Sequence, residues 1–159
     1  MSSALQAHRA AIVAALSSVP NIGVVHDRER YAKDNAKFAQ HYLFTPAGGQ
    51  QQLRGWWVRR AETEERSDTY GSGTTTNVHT WHIRGYLGFN DEAASELAFD
   101  ELIEAFRAVV RDDPTLGGAC EQPPEEETDG VQLMDAGPVM FAGVLCHSAL
   151  LQLKTGSYL

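Results

Sequence analysis

Cysteine and long apolar runs are scarce in this sequence, and each shortage excludes a class of protein. The two cysteines, Cys120 and Cys146, are too few for a disulfide framework and form no CxxC pair. We therefore expect free thiols in a reducing compartment. No apolar run approaches the roughly 20 residues that span a bilayer. The N-terminus lacks a basic segment ahead of an uninterrupted apolar stretch, so we expect no signal peptide and synthesis in a cytosol.

Positive charge is also scarce. The chain has 13 Lys and Arg against 21 Asp and Glu, which gives a net charge of −8 and a pI near 5.1. A sequence-independent nucleic-acid binder needs a basic face to neutralise phosphates, so this class is disfavoured, although a local basic patch stays open. At 159 residues the chain predicts one domain, spanning 1–159, that needs no disulfide or metal for stability.

The central unit of the sequence is residues 78–114, which read as a strand followed by a long amphipathic helix. Residues 77–89 alternate, with Trp81 and Ile83 on the more apolar face, which we expect to meet the core. Asn90 has the chemistry of a helix N-cap, and Pro114 ends the element. The apolar positions that recur at helical spacing are Ala94, Leu97, Ala98, Leu102, Ile103, Phe106, Val109 and Val110.

Shorter elements precede this unit. Residues 3–18 predict a helix capped by Ser2 or Ser3, and residues 22–26 predict an edge strand. Residues 27–40 fit either a loop or a short helix, and residues 41–45 fit a strand. Residues 53–68 and 77–89 predict a long β-hairpin whose polar tip, residues 70–75, projects from the body.

Two strands follow the long helix. Residues 121–130 predict an acidic, proline-containing linker, with a partner-binding patch as the alternative. Residues 131–136 and 139–155 predict strands separated by Gly137-Pro138. Both faces of the second are apolar, so we expect it to be a central strand or one covered on both faces. The fold class is therefore α+β, a small mixed or antiparallel sheet with a long β-hairpin, packed by an N-terminal helix and one long amphipathic helix.

Candidate chemistry is weak throughout. His79 and His82 lie three apart on a strand, so they point to opposite faces and cannot share a metal ion; Cys146 and His147 fail likewise. Cys120 has no mark of activation. The adjacent carboxylates 125–127 lie on a predicted loop, which holds a general acid and base poorly. We predict no catalytic residue, no metal and no cofactor.

The sequence also disfavours a phosphate-binding loop and a base-stacking surface. The glycines of YGSGTTTN form no phosphate loop, because no lysine follows them and no apolar strand leads in. Nucleic-acid bases can stack on aromatic and arginine side chains. Such side chains in strands more often belong to a core or a subunit contact. The residues concerned are Trp56, Trp57, Trp81, Arg54, Arg59 and Arg60.

The order of elements carries a family resemblance. The helix matches LxxxRxAIVAAL, and after a hairpin the strand WHIRGYLGF runs into an acidic-faced helix ending VRDDPTLGG, before two closing strands. This pattern resembles the tail terminator (tail-completion, minor tail) proteins of long-tailed bacteriophages. The similarity is strongest over residues 80–118 and fainter over 4–16 and 139–154. Residues 27–40 and 121–130 have no counterpart in it.

The resemblance implies a structural virion protein without an active site. Six copies would form a ring that caps the tail tube and joins it to the head-completion or neck protein, in the tail or neck of the virion. DNA would pass through an acidic lumen without specific binding. As contacts with neighbouring subunits or partners we single out Arg54, Trp56, Arg59, Tyr70, Thr74 and Thr75.

Three alternatives stay open. One is a head-completion or neck connector protein of related fold. Another, from a different class, is a small α+β enzyme or ligand-binding domain with a pocket between the long helix and the sheet. The apolar stripe along the helix counts against that pocket, which needs convergent polar groups. The third is a bacterial protein derived from a phage-tail-like device.

Overall fold

The computed structural model describes residues 3–67, 73, 75–121 and 129–159. In this part of the chain three α-helices and six strands form an α+β fold, as predicted. The helices are α1 (Ala4–Ser17), α2 (Asn35–Gln40) and α3 (Ser95–Asp112). The strands are β1 (Val24–His26), β2 (Leu43–Phe44), β3 (Gln52–Ser67), β4 (Thr75–Gly88), β5 (Gln132–Phe141) and β6 (Val144–Tyr158).

The strands form one mixed sheet in the order β1-β3-β4-β6-β5, with β2 paired to β3. Only β1 and β3 run parallel; the other pairs are antiparallel. The predicted long hairpin is β3–β4, paired from Arg54 opposite Leu87 to Ser67 opposite Thr75. β1 and β5 therefore lie at opposite edges of the sheet.

One face of the sheet, which we call the helix face, packs against α1 and α3. Trp56, Trp81 and Ile83 are fully buried there, as the alternation in the sequence predicts for β4. Ile12 and Leu16 of α1 contribute to the same core, as do Phe99, Ile103, Phe106 and Val110 of α3. Burial of this apolar area is the main contribution to stability.

The opposite face holds a smaller cluster around Tyr42, which is fully buried. Phe141 stacks on Tyr86 with ring centroids 3.7 Å apart, and Phe38 of α2 packs against the cluster. Trp57 belongs to this cluster while Trp56 belongs to the helix face, so the two adjacent tryptophans face opposite sides, as predicted.

The start of the long helix differs from the prediction. Asn90 caps a short 3₁₀ helix, Asp91–Ala93, and α3 begins after Ala94, which adopts a left-handed conformation (φ 52°). The buried positions of α3 are Ser95, Phe99, Ile103, Phe106 and Val110. The assignment of Leu97 to the apolar stripe was wrong, because its side chain is 65% exposed.

The last two strands also differ. Gly137 and Pro138 lie within β5, and the chain turns instead at Ala142 and Gly143, whose φ angles are 51° and 78°. Two successive positive φ angles suit the tight turn of a β-hairpin. Proline is tolerated at position 138 because β5 is an edge strand, where a missing backbone donor breaks no ladder. β6 is paired on both sides, so it is the central strand that was predicted.

The N-terminal predictions hold. Ser3 caps α1 through a hydrogen bond from the backbone N–H of Gln6, and β1 is an edge strand. The undecided segment contains the short helix α2, capped by Asp34. None of the helices in the described residues has the length and apolar composition that crossing a membrane needs.

Candidate interaction surface

Most of the exposed large apolar side chains of the sheet lie along β5 and the hairpin that joins it to β6. Residues 133–140 are eight consecutive exposed positions. Met140 is 64% exposed and Met134 is 54% exposed. We call this region the β5 surface; its large apolar side chains are Leu133, Met134, Val139, Met140, Val144 and Leu145. Contiguous exposed apolar surface of this kind marks interaction sites in soluble proteins.

The free edge of β3 carries many more charged side chains than β5 does. Beyond the short pairing with β1, its outer half carries the charged residues Arg59, Arg60, Glu62, Glu64, Glu65 and Arg66. Charges of this kind keep an exposed edge from pairing with another chain. β5, whose residues are all described, carries one charge, Asp135. The β5 edge is therefore much less protected against association than the β3 edge.

Two features limit the kind of contact that β5 can make. Its ladder with β6 shifts register between Leu133 and Asp135, and Pro138 has no backbone N–H. An added partner strand would lose continuous backbone pairing at both places. A partner would therefore be held mainly by the apolar side chains, which lie on both faces: Met140 and Leu145 on the helix face, Val139 and Val144 on the other.

The structure places the sequence-predicted contact residues unevenly. Trp56 is 0% exposed and donates its indole N–H to the carbonyl oxygen of Ile22 (2.9 Å), so its assignment to a partner surface was wrong. The guanidinium of half-buried Arg54 donates to the carbonyl oxygen of Asn21 (2.7 Å). Burial lowers the pKa of Arg54. Both side chains hold the 21–22 segment against β3 and are structural.

Arg59 does lie at the surface. Its guanidinium is 3.3 Å from a carboxylate oxygen of Glu29 and 5.1 Å from the ring centre of Trp57. Thr75 begins β4, and its carbonyl oxygen accepts the backbone N–H of Leu159 (2.9 Å). Tyr70 and Thr74 lie outside the described residues. Among the described members of the predicted set, Arg59 is the exposed charged side chain, and its role as a contact stays a prediction.

The residues of the β5 surface were missed by the sequence reasoning. Val139 and Met140 were assigned to a central strand because apolar residues occur on both of its faces. Two sequence signals separate them: Gly143, which tolerates the positive φ of a hairpin turn, and Pro138, which a strand accepts at the edge of a sheet. With the turn placed correctly, the apolar residues before it fall on the edge.

A buried Ser–His pair joins α3 to β6. The hydroxyl of Ser95 lies 2.7 Å from Nε2 of His147, a hydrogen bond whose direction follows the imidazole tautomer. The same hydroxyl accepts the backbone N–H of Asn90 (2.9 Å). Ser95 is 6% exposed, and no carboxylate among the described residues binds His147. Without an orienting carboxylate and an accessible hydroxyl, the pair lacks the parts of an activated nucleophile.

We expect Ser95→Ala to lower the free energy of unfolding by about 1–3 kcal/mol, because a buried imidazole nitrogen and a backbone N–H lose a partner. Urea unfolding measures the change. The matched control is Ser17→Ala in α1, an exposed serine, which should shift stability by no more than about 0.5 kcal/mol. Labelling of folded wild-type protein at Ser95 by a fluorophosphonate probe would contradict the structural role.

A second buried polar contact links α1 to β6. Nδ1 of His8 lies 2.8 Å from the hydroxyl of Thr155, which also accepts the indole N–H of Trp81 (2.8 Å). His79 contacts His8 edge to face, with ring centroids 5.5 Å apart. Burial lowers the pKa of both histidines; Glu121 opposes this at His8, and Arg60 adds to it at His79.

These pKa shifts predict loss of stability in mild acid. The folded-state pKa of each histidine lies below 6.5, so below pH 6.5 the unfolded chain binds more protons than the folded one. The free energy of unfolding should fall as pH drops through 6.5, until the lowered folded values are passed. Urea unfolding from pH 7.5 to 5 measures the slope. His8→Asn with His79→Asn should flatten it, since asparagine mimics Nδ1 without titrating; an unchanged slope would refute the assignment.

Neither cysteine has the exposure or the lowered pKa of a reactive thiol. Cys120 is 5% exposed and Cys146 is 0% exposed. Burial, with smaller contributions from Asp113 and Glu121 at Cys120, raises the pKa of each thiol to about 11. Both thiols therefore stay protonated at neutral pH and pack as small apolar side chains.

The depression between the two long helices offers little for a small ligand. A depression of about 290 Å³ lies between α1 and α3 and is lined by Ala11, Ala14, Ala15, Val109, Asp113, Leu116 and Gly117. The Asp113 carboxylate is already bound by the hydroxyl of Thr115 (2.6 Å) and the N–H of Gly117 (2.7 Å), so no polar group converges on the space. Within the described residues no three His, Cys, Asp or Glu side chains are grouped to hold a metal ion.

Comparison with known proteins does not identify a family for this chain. No protein-family model matches the chain, and no curated protein matches it.

Proposed function

We propose that this protein is a structural subunit that assembles into a ring, and that its role is that of a phage tail terminator. The observation that carries the proposal is the β5 surface, because a folded subunit with exposed large apolar side chains at a lightly charged sheet edge is suited to association. The order of elements in the sequence, which resembles the tail terminator proteins, supplies the specific role.

The remaining polar groups support a structural role over catalysis. Ser95 and His147 fix the start of α3 on β6, and His8 joins α1 to β6 through Thr155. In each pair the contacts are buried and internal to the fold. The small enzyme or ligand-binding domain is the competing class. The depression between α1 and α3 lacks the convergent polar groups that such a site needs. A larger, open depression of about 450 Å³ on the β3–β4 hairpin has a more polar lining, formed by Glu62, Thr63, Glu64, Val78, Thr80 and Lys154.

In the proposed role the protein acts through three kinds of surface. Sides of neighbouring copies meet in a hexameric ring, one end of the ring contacts the tail tube protein, and the other contacts the head-completion or neck protein. A net charge of −8 favours a lumen through which DNA passes without binding. The protein is made in the host cytoplasm and ends in the virion. A neck connector of related fold would share the ring and differ in its partners.

Two measurements test this function. Native mass spectrometry of the purified protein should show a closed oligomer, with six subunits expected. Added to growing tubes of the tube protein encoded in the same genome, the ring should stop elongation, so that electron microscopy shows shorter tubes of narrower length distribution. A ring that binds the head-side protein and leaves tube length unchanged would favour the neck connector, and a strict monomer without effect on tubes would refute the proposal.

A further inference from the structure

Charge is divided unevenly along this chain. Counting His as neutral, the first 60 residues carry eight Lys and Arg against three Asp and Glu, and the other 99 residues carry five against 18. The two parts therefore have net charges of +5 and −13. Residues 113–153 contain no Lys or Arg at all.

The fold places one part of each charge group at opposite edges of the sheet, while other carboxylates lie on α3 and on the C-terminal half of β3. The basic part forms β1, α2, β2 and the first half of β3, at one side of the sheet. Even the guanidinium of Arg9, on α1, lies against this side, within 2.6 Å of the carbonyl oxygen of Asp27 and 3.3 Å of that of Val58. β5 and the residues before it, with Asp129 and Asp135, form the opposite side.

Each edge also offers side chains suited to a partner. Beyond β1, Tyr31 is 72% exposed, and neither Arg30 nor Lys33 forms an ion pair within the described residues. On the opposite edge is the β5 surface, where Asp135 likewise has no ion-pair partner in the described structure. Apolar and aromatic side chains surrounded by opposite charges are complementary in the way that sets partner and orientation at protein interfaces.

We infer that the β5 surface of one copy binds the β1 side of the next copy, head to tail. The occupant is a second copy of this chain, because one subunit presents both the acidic, apolar edge and the basic, aromatic edge. Since the two surfaces differ and lie at opposite edges, the contact is heterologous, the type that generates a ring when its rotation closes. The inference rests on the self-assembly required by the proposed function and names the surfaces that meet.

Charge reversal tests the pairing. The β1-side variant is Arg30→Glu with Lys33→Glu, and the β5-side variant is Asp129→Lys with Asp135→Lys. Each variant alone opposes like charges at every interface, so its oligomer should dissociate at a protein concentration about tenfold or more above that of the wild type. The matched control, Glu101→Lys with Asp112→Lys at exposed positions of α3 opposite its buried face, makes the same charge change on an element that belongs to neither edge and should assemble normally.

Mixing the two variants gives the sharper result. An equimolar mixture restores opposite charges at every contact, so sedimentation velocity should show oligomers of wild-type size in which the variants alternate. Each variant's circular dichroism spectrum checks folding independently. The pairing is overturned if the single variants assemble like the wild type, or if both fail alone and their mixture does not assemble. In either case a wild-type ring that caps tubes leaves the proposed function intact. A wild-type chain that never assembles overturns both.

Discussion

Trp56→Ala should lower the free energy of unfolding by about 3–5 kcal/mol, as removal of a large buried aromatic does. The side chain is 0% exposed and stacks on Phe99 of α3, with ring centroids 5.6 Å apart. Its indole N–H donates to the carbonyl oxygen of Ile22 (2.9 Å), so the substitution also strands a backbone acceptor. Domains are typically stable by roughly 5–15 kcal/mol, so the loss is a large part of the total.

The close contact between Trp56 and Gly85 allows a more direct test of this packing. Gly85 lies opposite Trp56 on β4, and a Cβ at this position would overlap the tryptophan ring. Gly85→Ala should therefore be costly in the wild type and much less costly in the Trp56→Ala background. Urea unfolding of both single variants and the double variant should give a coupling free energy of at least about 1 kcal/mol.

The control for both variants is Leu97→Ala, at a side chain of α3 that is 65% exposed, which should change stability by about 0.5 kcal/mol or less. Additive effects of Trp56→Ala and Gly85→Ala would show that the two positions do not contact each other as the structure indicates.

Alternation in the sequence was sufficient to predict the core side of β4. Trp81 and Ile83 fall on the apolar face of the pattern and are fully buried. The same reasoning separated Trp56 from Trp57 but could not tell which of them meets the helices, because both side chains are large and apolar. That choice depends on pairing with Gly85, which leaves room for one indole ring on the helix face.

Local irregularities account for most of what could not be predicted. The β3–β4 ladder shifts register between Arg60 and Glu62, so Thr63 comes to the same face as His79 and lies 2.8 Å from its Nδ1. A single extra residue reverses the faces of everything beyond it, and no pattern marks its position. The left-handed Ala94 similarly delays the start of α3, and Phe99, which lay outside the predicted apolar stripe, is in the core.

The buried polar pairs depend on contacts between distant parts of the chain. Ser95 and His147 are 52 positions apart, and His8 and Thr155 are 147 apart. Short-range reasoning about histidines considered only neighbours such as His79 and His82. Pairs of this kind are set by which strand lies beside which helix, and that follows from the sheet order.

Exposed side chains cannot be recognised from apolar character alone, and Met140 shows why this matters for function. By pattern it belongs to a core strand, yet it is 64% exposed on the β5 surface. Because the fold does not bury this side chain, its contribution should appear in assembly and hardly at all in the stability of the subunit.

Met140→Glu should therefore raise the dissociation constant of the subunit contact on the order of a hundredfold, or about 2.7 kcal/mol, by placing an unpaired carboxylate in a desolvated apolar contact. In the proposed ring the effect is repeated at every interface, so sedimentation velocity at micromolar concentration should show mainly monomers, with the urea midpoint of the subunit nearly unchanged. The matched control is Leu159→Glu, which is 67% exposed at the far end of β6 and should assemble as the wild type does. Equal loss of assembly in both variants would show that added charge, rather than the β5 surface, governs association.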